Sequence, residues 1–483
     1  MATMAVRPPA APVKKRAKWN TLQFLRGSQY VAWALCVLFL IAAISAATIH
    51  RAAMTKVCKD AEPSVIAAEE IKFALSDMDA NAANELLYEH GEKSDDEAAA
   101  VKQYNERRDD AVDSLIKAAE NINFGDAERE PIKQLALNMG VYEARIQTAR
   151  DLHKDGKPGV AAAYLDAAAI MDNNLLPQAD KLHKVNEDEL NRIYASHESE
   201  SVASIFFVVA TGLALAAFLI YLQWFLLRKT RRVLNPMLLV ATVLALGFVL
   251  YTVRVMSKER EQLKVAKEDA YDSIVKLWQS RAVAYAANAD ESRYLLDGGS
   301  PDSEHRGKHE KAFYQKVRLL STLPSDAEKE SNAAIGKWVE DNYNTLASGS
   351  DEKNRIAGFS GYLADELDNV TFPGERKAAL ETLHWFGVYL KIDRQIREKM
   401  GNGDYDGARE LCLGEEQNQS NWAFENFDEA LGRTLLINEK EFDNAVELGY
   451  EDLKGFDVRA SIAIIVIAVL VFGGLLPRIA EYR

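Results

Sequence analysis

The sequence predicts an all-α membrane protein with four transmembrane helices and two extracytoplasmic helical-bundle domains in tandem. Three observations lead to this prediction: long apolar stretches without a charged side chain, a one-sided distribution of basic residues, and an apolar repeat of three or four residues between the stretches. At 1.5 Å rise per residue, each stretch can cross a hydrocarbon layer about 30 Å thick. The stretches are residues 30–49, 202–227, 236–253 and 460–476.

The basic residues orient these four predicted spans. Residues 1–29 contain six basic side chains and no acid, and residues 228–235 contain four and no acid. Such segments stay in the cytoplasm under the positive-inside rule, so both termini are expected there and the protein in a bacterial cytoplasmic (inner) membrane as a multi-pass protein. The formal net charge is −14, which leaves the two large polar segments acidic and unsuited to nucleic acid.

This layout divides the chain into alternating segments. The first span is interpreted as uncleaved, because its apolar run exceeds the length of a signal-peptide core; the alternative is cleavage after Ala46 or Ala47. The predicted segments are a cytoplasmic N-terminus (1–29), TM1 (30–49), an exported four-helix bundle (50–201), TM2 (202–227), a cytoplasmic loop (228–235), TM3 (236–253), an exported helical bundle (254–459), TM4 (460–476) and a cytoplasmic tail (477–483).

Helical periodicity defines both polar segments. In the first, apolar residues from Ile132 to Ile146 recur at the spacing of one helix face. Breaks at Gly91, at Gly125 and at 155–159 divide it into four helices. Further breaks are expected at residues 298–301, 323–325, 349, 373–374 and 401–403. The first helix of the second segment is expected to continue out of TM3, and its last to run from about Asp404 into TM4.

An internal duplication is indicated by matching residues 247 positions apart. Gly140, Val141 and Tyr142 correspond to Gly387, Val388 and Tyr389, and Arg150 corresponds to Arg397. The order of span, polar segment and span occurs twice, as a duplication predicts. Chance similarity between short helices is the alternative.

Motifs for catalysis and cofactor binding are absent from the sequence. It has no phosphate-binding glycine loop, HExxH motif or nucleophile elbow, so we expect neither an enzyme nor a cofactor. Glu304, His305, His309 and Glu310 resemble a metal set, but their place at a loop favours a solvated helix start, and no metal is predicted. The spans lack ionisable residues, which disfavours a pump or channel. Cys36, Cys58 and Cys412 are expected to be unpaired, with a Cys58–Cys412 bridge as the alternative.

Three clusters of arginine, amide and aromatic residues are the candidate ligand- or partner-binding sites. Arginine can fork onto a carboxylate or anchor a protein partner. The alternative is that the aromatics fill the bundle cores while the arginines pair with surface acids. The candidate residues are Arg281, Tyr285, Asn288, Arg293, Tyr294, Tyr142, Arg145, Tyr389, Arg394, Trp422 and Arg433.

The predicted cytoplasmic segments are too short to fold into a signalling domain, since small domains need about 40 residues or more. A signal received outside would therefore have to pass to a separate protein. Basic charge suits such a contact, although membrane topology and lipid head groups can also account for it. The expected contact residues are Lys15, Arg16, Trp19, Arg228 and Arg231.

Four stretches of the chain resemble a known actinobacterial membrane family. These stretches are residues 163–177, 282–297, 419–428 and 478–483, and they are similar in sequence and order to the GlnX-type component of amino-acid-sensing operons. The resemblance implies a signalling intermediary between an extracellular glutamate- or aspartate-binding lipoprotein and a soluble Ser/Thr protein kinase. It transfers no ligand residues.

Two functions follow from these expectations. The first is a transmembrane sensor or adaptor that relays the binding of an extracellular small molecule or solute-binding protein, possibly related to amino acids, to a cytoplasmic kinase or other signalling protein. A homodimer would be typical of such sensors. The second is a structural or assembly scaffold whose exported bundles dock partner proteins.

Overall fold

The computed structural model describes residues 21–88, 95–122, 125–230, 235–296, 304–322 and 359–481. Within these ranges, regular secondary structure is helical, apart from one isolated antiparallel bridge between Thr322 and Ser360. The predicted all-α class is confirmed.

Four helices are long and apolar enough to cross a membrane, as predicted. The apolar stretches lie in α1 (Thr21–Thr55), α6 (Leu176–Thr230), α7 (Pro236–Lys264) and α14 (Phe456–Glu481). Large apolar side chains on these helices are exposed, such as Leu250 at 71%. A continuous apolar surface of this kind suits lipid rather than water, so the helices suggest a multi-pass membrane protein.

The described residues form two compact units. The apolar unit contains the described residues up to 50, together with 199–257 and those from 453 onward, and the polar unit contains 51–198 and 258–452. Phe39, Leu215 and Ile467 belong to the core of the apolar unit. Helices α1, α6 and α7 each have residues in both units.

The polar unit is built from helices of both polar segments. The first segment supplies α2 (Glu62–Glu85), α3 (Asp95–Glu120), α4 (Asp126–Lys154), α5 (Val160–Ile170) and the first part of α6. The second supplies α8 (Asp272–Leu296), α9 (Glu304–Leu320), α10 (Tyr362–Asp368), α11 (Glu375–Gly401), α12 (Tyr405–Leu413) and α13 (Ser420–Leu453).

The two polar segments share a hydrophobic core, beside which the first segment has a second buried cluster of its own, with Leu75, Leu135 and Tyr164. Phe73 of α2 packs against Trp278 and Tyr285 of α8, with ring centroids 5.5 and 5.3 Å apart. A single buried cluster combines Cys58 and Val65 of the first segment with residues of the second. The predicted tandem of two bundles is not confirmed, because α2 and α8 pack directly on each other.

The element order repeats, as the predicted duplication requires. In each half, a long apolar helix passes through a short π-helical stretch into a buried helix of the polar unit. The stretches are Lys56–Ala61, before α2, and Val265–Tyr271, before α8. The expected continuation of TM3 into the polar segment is thereby confirmed.

The described helix ends confirm four of the eight predicted breaks, and one predicted helix needs correction. Chain breaks at Gly125, at 155–159, at 373–374 and at 401–403 lie between helices, and those at Gly91, 298–301, 323–325 and 349 lie outside the described residues. The expected helix from Asp404 into TM4 is wrong. An irregular stretch, 414–419, follows α12, and a turn at Gly455, whose φ of +68° favours glycine, separates α13 from α14.

Candidate functional site: a buried ion cluster around Arg293

Arg293 lies on α8, in a stretch that is buried on every side of the helix. Alanines at 287 and 289 of α8, and at 80, 82 and 83 of α2, are each at most 2% exposed. Small side chains let two helix backbones approach closely. The Arg293 side chain, itself 2% exposed, therefore lies in the interior and must find its hydrogen-bond partners there.

Three carboxylates supply those partners. Arg293 donates from Nη1 to Oδ1 of Asp290 at 2.8 Å and to Oδ2 of Asp172 at 3.1 Å. Its Nη2 donates to Asp79 Oδ2, and its Nε donates to the Tyr164 hydroxyl at 3.3 Å. Each of the three guanidinium nitrogens thus has an acceptor.

A second layer of side chains holds the carboxylates in place. The Tyr142 hydroxyl donates to Asp79 Oδ1 at 2.8 Å. On the other side, Lys316 Nζ donates to Asp290 Oδ2, and His309 Nδ1 lies 3.8 Å from Asp290 Oδ1. We call Arg293 and these side chains, together with Tyr164 and Asp172, the Arg293 cluster.

Neighbouring charges favour the ionised forms of Arg293 and Asp290 in spite of their burial. Burial alone would raise the pKa of Asp290, but Lys316 and Arg293 hold it well below its ordinary value. Burial opposes the charge on Arg293 too, yet the nearby carboxylates, Asp79 foremost, raise its pKa. At Asp79, burial prevails and the pKa is raised, while Arg293 opposes the shift. Asp79 is thus protonated more easily than Asp290.

The Arg293 cluster joins the two polar segments. Asp79, Tyr142, Tyr164 and Asp172 come from the first segment, whereas Asp290, Arg293, His309 and Lys316 come from the second. Removing one member of a buried ion network leaves another buried charge uncompensated. The two segments cannot separate or slide here without that cost, so the cluster favours a single packing arrangement.

Two further arginines, Arg281 and Arg107, form ion pairs beside the same α2–α8 contact. Arg281 forks onto Asp428 of α13, with Nε–Oδ1 and Nη2–Oδ2 distances of 2.6 Å, and stacks 4.3 Å from the centroid of Phe73. Arg107 of α3 binds Asp77 of α2. Burial raises the pKa of Asp77 to about 6, against the effect of Arg107.

The two arginines that the predicted duplication pairs, Arg150 and Arg397, make similar contacts. Arg150 of α4 forks onto Glu85, with distances of 2.6 to 2.9 Å, and lies 4.2 Å from the Tyr104 centroid. Arg397 of α11 forks onto Asp393 at 3.0 and 2.8 Å and lies 4.5 Å from the Tyr294 centroid. Each binds a carboxylate and stacks on a tyrosine, as the predicted correspondence between them suggests.

The structure brings some predicted residues together and leaves others apart. Arg293 and Tyr142 meet in the Arg293 cluster. The Tyr285 and Tyr389 rings both pack on Phe424, with centroids 4.8 and 5.1 Å away, and Asn288 is also buried. The aromatics fill the core, as in the alternative weighed above, but Arg293 pairs with the buried acids Asp79 and Asp290 rather than with surface acids.

The remaining predicted residues lie near or at the surface. Arg145 is exposed, and Arg394 pairs with Glu398 one helical turn away at 2.9 Å. Half-exposed Arg433 lies 3.1 Å from Glu381, and Trp422 packs edge-on against Trp385. Exposed Arg228 lies 4.2 Å from the Trp224 centroid. Lys15, Arg16, Trp19 and Arg231 lie outside the described residues.

Sequence reasoning missed two acids and a lysine that complete the site. Asp79, Asp172 and Lys316 were not among the predicted residues, although Asp79 is central to the cluster. One signal was available: Asp77 and Asp79 interrupt a stretch of α2 otherwise rich in alanine and apolar residues. Acids in such a stretch are buried, and a buried acid requires a partner.

All three cysteines are free and buried. The prediction of unpaired thiols is confirmed. Burial raises the pKa of the Cys58 thiol to about 12 and that of Cys412 well above its ordinary value. Both are therefore poor nucleophiles near neutral pH.

The described secondary structure makes this an all-helical protein, and the four long apolar helices suggest a multi-pass membrane protein. Residues 53–195 match the model of a family described as an actinobacterial sensor domain. The match covers the end of α1, all of α2 to α5 and the first part of α6, and it indicates a sensing role. No curated protein and no solved structure matches the chain.

Proposed function

We propose that this protein is a transmembrane sensor or adaptor that relays an extracytoplasmic binding event to a separate cytoplasmic signalling protein. The ligand is a small molecule or a solute-binding protein, and the likeness to the GlnX-type family favours one related to amino acids. A Ser/Thr protein kinase is the cytoplasmic partner that the same likeness favours.

The continuity of α6 is the observation that carries this proposal. The sensor-domain match ends at residue 195, and the helix that contains this residue continues to Thr230 without a break. It therefore includes the whole apolar stretch 202–227. A helix common to a sensing region and a membrane span can transmit a shift or rotation as a rigid rod.

The Arg293 cluster supports the proposal by linking both halves of the polar unit. Relay requires two arrangements of the helices for which the ligand has different affinities. The cluster fixes one of these arrangements, because another position of the helices leaves a buried charge without its partner. A ligand that shifts α2 against α8 would change the positions of α1 and α7, which continue into them through π-helical stretches.

The basic end of α6 supports the cytoplasmic contact. Arg228 and Lys229 are both exposed at the end of this helix. Two further arginines, Arg231 and Arg232, follow in the sequence. Four adjacent cations attract an acidic protein surface and speed its association.

Neutralising these four residues tests the proposal against a scaffold. We would change Arg228, Lys229, Arg231 and Arg232 to Gln, check the topology by thiol labelling, and capture bound proteins from native membranes after chemical cross-linking. A sensor should lose a cytoplasmic partner that the wild-type chain captures. The matched control changes Arg145, Arg394 and Arg433, all in the polar unit, to Gln. Equal capture by all three proteins would contradict the relay and favour the scaffold.

A further inference from the structure

A separate group of buried polar side chains lies where α8, α10, α11 and α13 meet. Glu366 of α10 is 2% exposed, and Glu375, the first residue of α11, is 0% exposed. Asn438 of α13 and Ser273 of α8 are also 0% exposed. None of these four side chains belongs to the Arg293 cluster, and the proposed relay does not use them.

The Glu366 carboxyl is the centre of this group. Asn438 Nδ2 lies 3.5 Å from Glu366 Oε1. Ser273 and Glu375 lie close enough to the same carboxyl group to act on its pKa, and the Ser273 hydroxyl also accepts a hydrogen bond from Asn369 Nδ2 at 2.8 Å. The position of Glu375 is fixed independently, because its Oε2 accepts hydrogen bonds from the backbone N–H groups of Thr371 and Phe372 at 2.7 and 2.9 Å.

Three buried oxygens of this group receive no hydrogen bond from the residues that the structure describes. They are Oε2 of Glu366, Oε1 of Glu375 and Oδ1 of Asn438. The amide of Asn438 is oriented by its other contact, since Nδ2 donates to the carbonyl oxygen of Thr434 at 3.1 Å. A buried acceptor without a donor is costly, and several in one place call for a shared positive group.

We propose that these side chains form a binding site for a divalent cation. The donors are oxygens: the carboxylates of Glu366 and Glu375, the amide oxygen of Asn438 and the hydroxyl of Ser273. A set of oxygen donors without imidazole or thiolate selects a hard cation. Calcium fits best, because it accepts many protein oxygens in irregular geometry, whereas magnesium retains several waters and demands an octahedral arrangement.

Charge balance also favours a cation. Two carboxylates face each other in the interior, and half-buried Lys276 is a cation that acts on Glu366. One ammonium group leaves the pair with excess negative charge, which is unfavourable away from water. A bound divalent ion would neutralise it and connect four helices of the second polar segment.

A shared proton is the competing way to satisfy the pair. Burial and the charge of Glu375 raise the pKa of Glu366 to about 8, so a carboxyl–carboxylate pair could hold one proton near neutral pH. A proton would satisfy the two glutamates but would leave the Asn438 amide oxygen without a donor. The experiment must therefore distinguish a metal ion from a proton.

The test measures calcium binding to the purified full-length protein in lipid nanodiscs, after removal of metals with EDTA. We expect one calcium ion to bind per chain and the melting temperature to rise by several degrees, since a ligand that binds only the folded state stabilises it. Magnesium should have a smaller effect. No binding, or a melting temperature that responds to pH but not to calcium, would overturn the proposal.

Two variants make the test specific. Glu366→Gln removes one charge with little change in volume and should lower the affinity for calcium at least tenfold. It should remain folded, because without metal it also removes the repulsion from Glu375. Asp368→Asn is the control, an exposed acid of the same helix, and should bind calcium as the wild type does. A folded Glu366→Gln protein with unchanged calcium binding would also overturn the proposal.

The result of the calcium-binding test does not depend on whether the proposed relay is correct. Calcium binding is measured on isolated protein without a cytoplasmic partner. The relay could fail while the cation site stands, and the reverse also holds.

Discussion

Arg293 is stabilised by one acid of its own helix, Asp290, and by two acids of other helical elements, Asp79 and Asp172. The guanidinium is almost fully buried, and its partners Asp79 and Asp290 are equally inaccessible at 1% and 0% exposure. Buried ion pairs seldom stabilise a fold more than apolar residues would, but breaking one is costly. The cluster is thus better understood as a device that specifies one packing of α2 on α8 than as a source of net stability.

Substituting Arg293 tests this view at the residue scale. Arg293→Met should destabilise the polar unit by about 3–5 kcal/mol, because Asp79 would be left buried without its cation. The melting temperature of the full-length protein should fall accordingly. The exposed control, Arg394→Met, loses only a surface pair and should change stability by at most about 0.5 kcal/mol. Similar losses in both variants would contradict the central position of Arg293.

His183 predicts a pH dependence of stability. Its Nδ1 lies 2.9 Å from Glu69 of α2, its Nε2 lies 3.2 Å from Glu187, and Gln279 of α8 also faces the ring. Lys267 acts on Glu187 from the α8 side. Burial alone would lower the pKa of His183, but the nearby carboxylates of Glu187 and Glu69 raise it to about 9.

The direction of this pH dependence follows from the pKa of His183 in the folded and unfolded states. The pKa of His183 is about 9 when folded and about 6.5 when unfolded, so its stabilising effect is complete below pH 6.5. It is lost as the pH rises towards 9. We expect the wild-type melting temperature to fall over this interval more steeply than that of His183→Gln. Parallel curves would show that this imidazole is not the titrating group.

At the scale of single elements, α4 and α11 are counterparts. Both carry a tyrosine that points into the core, followed by an arginine that forks onto a carboxylate and stacks on a tyrosine ring. The geometry requires a planar guanidinium, because an ammonium group cannot both fork and stack. The predicted duplication would account for the same interaction in both helices.

This equivalence predicts the effect of matched substitutions. Arg150→Lys and Arg397→Lys should each lower the melting temperature although the charge is kept. The loss should be larger for Arg397, whose side chain is 8% exposed against 19% for Arg150. Arg394→Lys, on the surface of α11, serves as control. Full retention of stability by both lysine variants would argue that charge alone is needed.

The local pattern of the sequence was sufficient for the helices but not for their pairing. The apolar spacing around Met139 and the glycine breaks predicted α4 and its ends correctly. The packing of α2 on α8 joins residues more than 200 positions apart, such as Asp79 and Arg293, and no local period records it. Gly455 also escaped notice, because a lone glycine inside an apolar-periodic stretch is compatible with a continuing helix.

At the scale of the whole molecule, the proposed topology can be tested by labelling. Asp113 of α3 and Lys229 of α6 are both exposed. In intact cells, an impermeant maleimide should label Asp113→Cys, and Lys229→Cys should react only after permeabilisation. The native Cys58 and Cys412 give little background, since both are buried and their thiol pKa values are raised. Labelling in the opposite order would invert the orientation.

The most direct test of the relay disturbs the polar unit and observes the predicted inner ends of the spans. Cysteines replace Arg26 of α1 and Ala480 of α14, Cys36 is changed to Ala, and a bifunctional maleimide measures their cross-linking in native membranes. We predict that Arg293→Lys, which keeps the charge but loses the fork, changes the cross-linking yield, whereas Arg394→Lys does not. Identical yields in folded wild-type and Arg293→Lys proteins would contradict a relay through these helices.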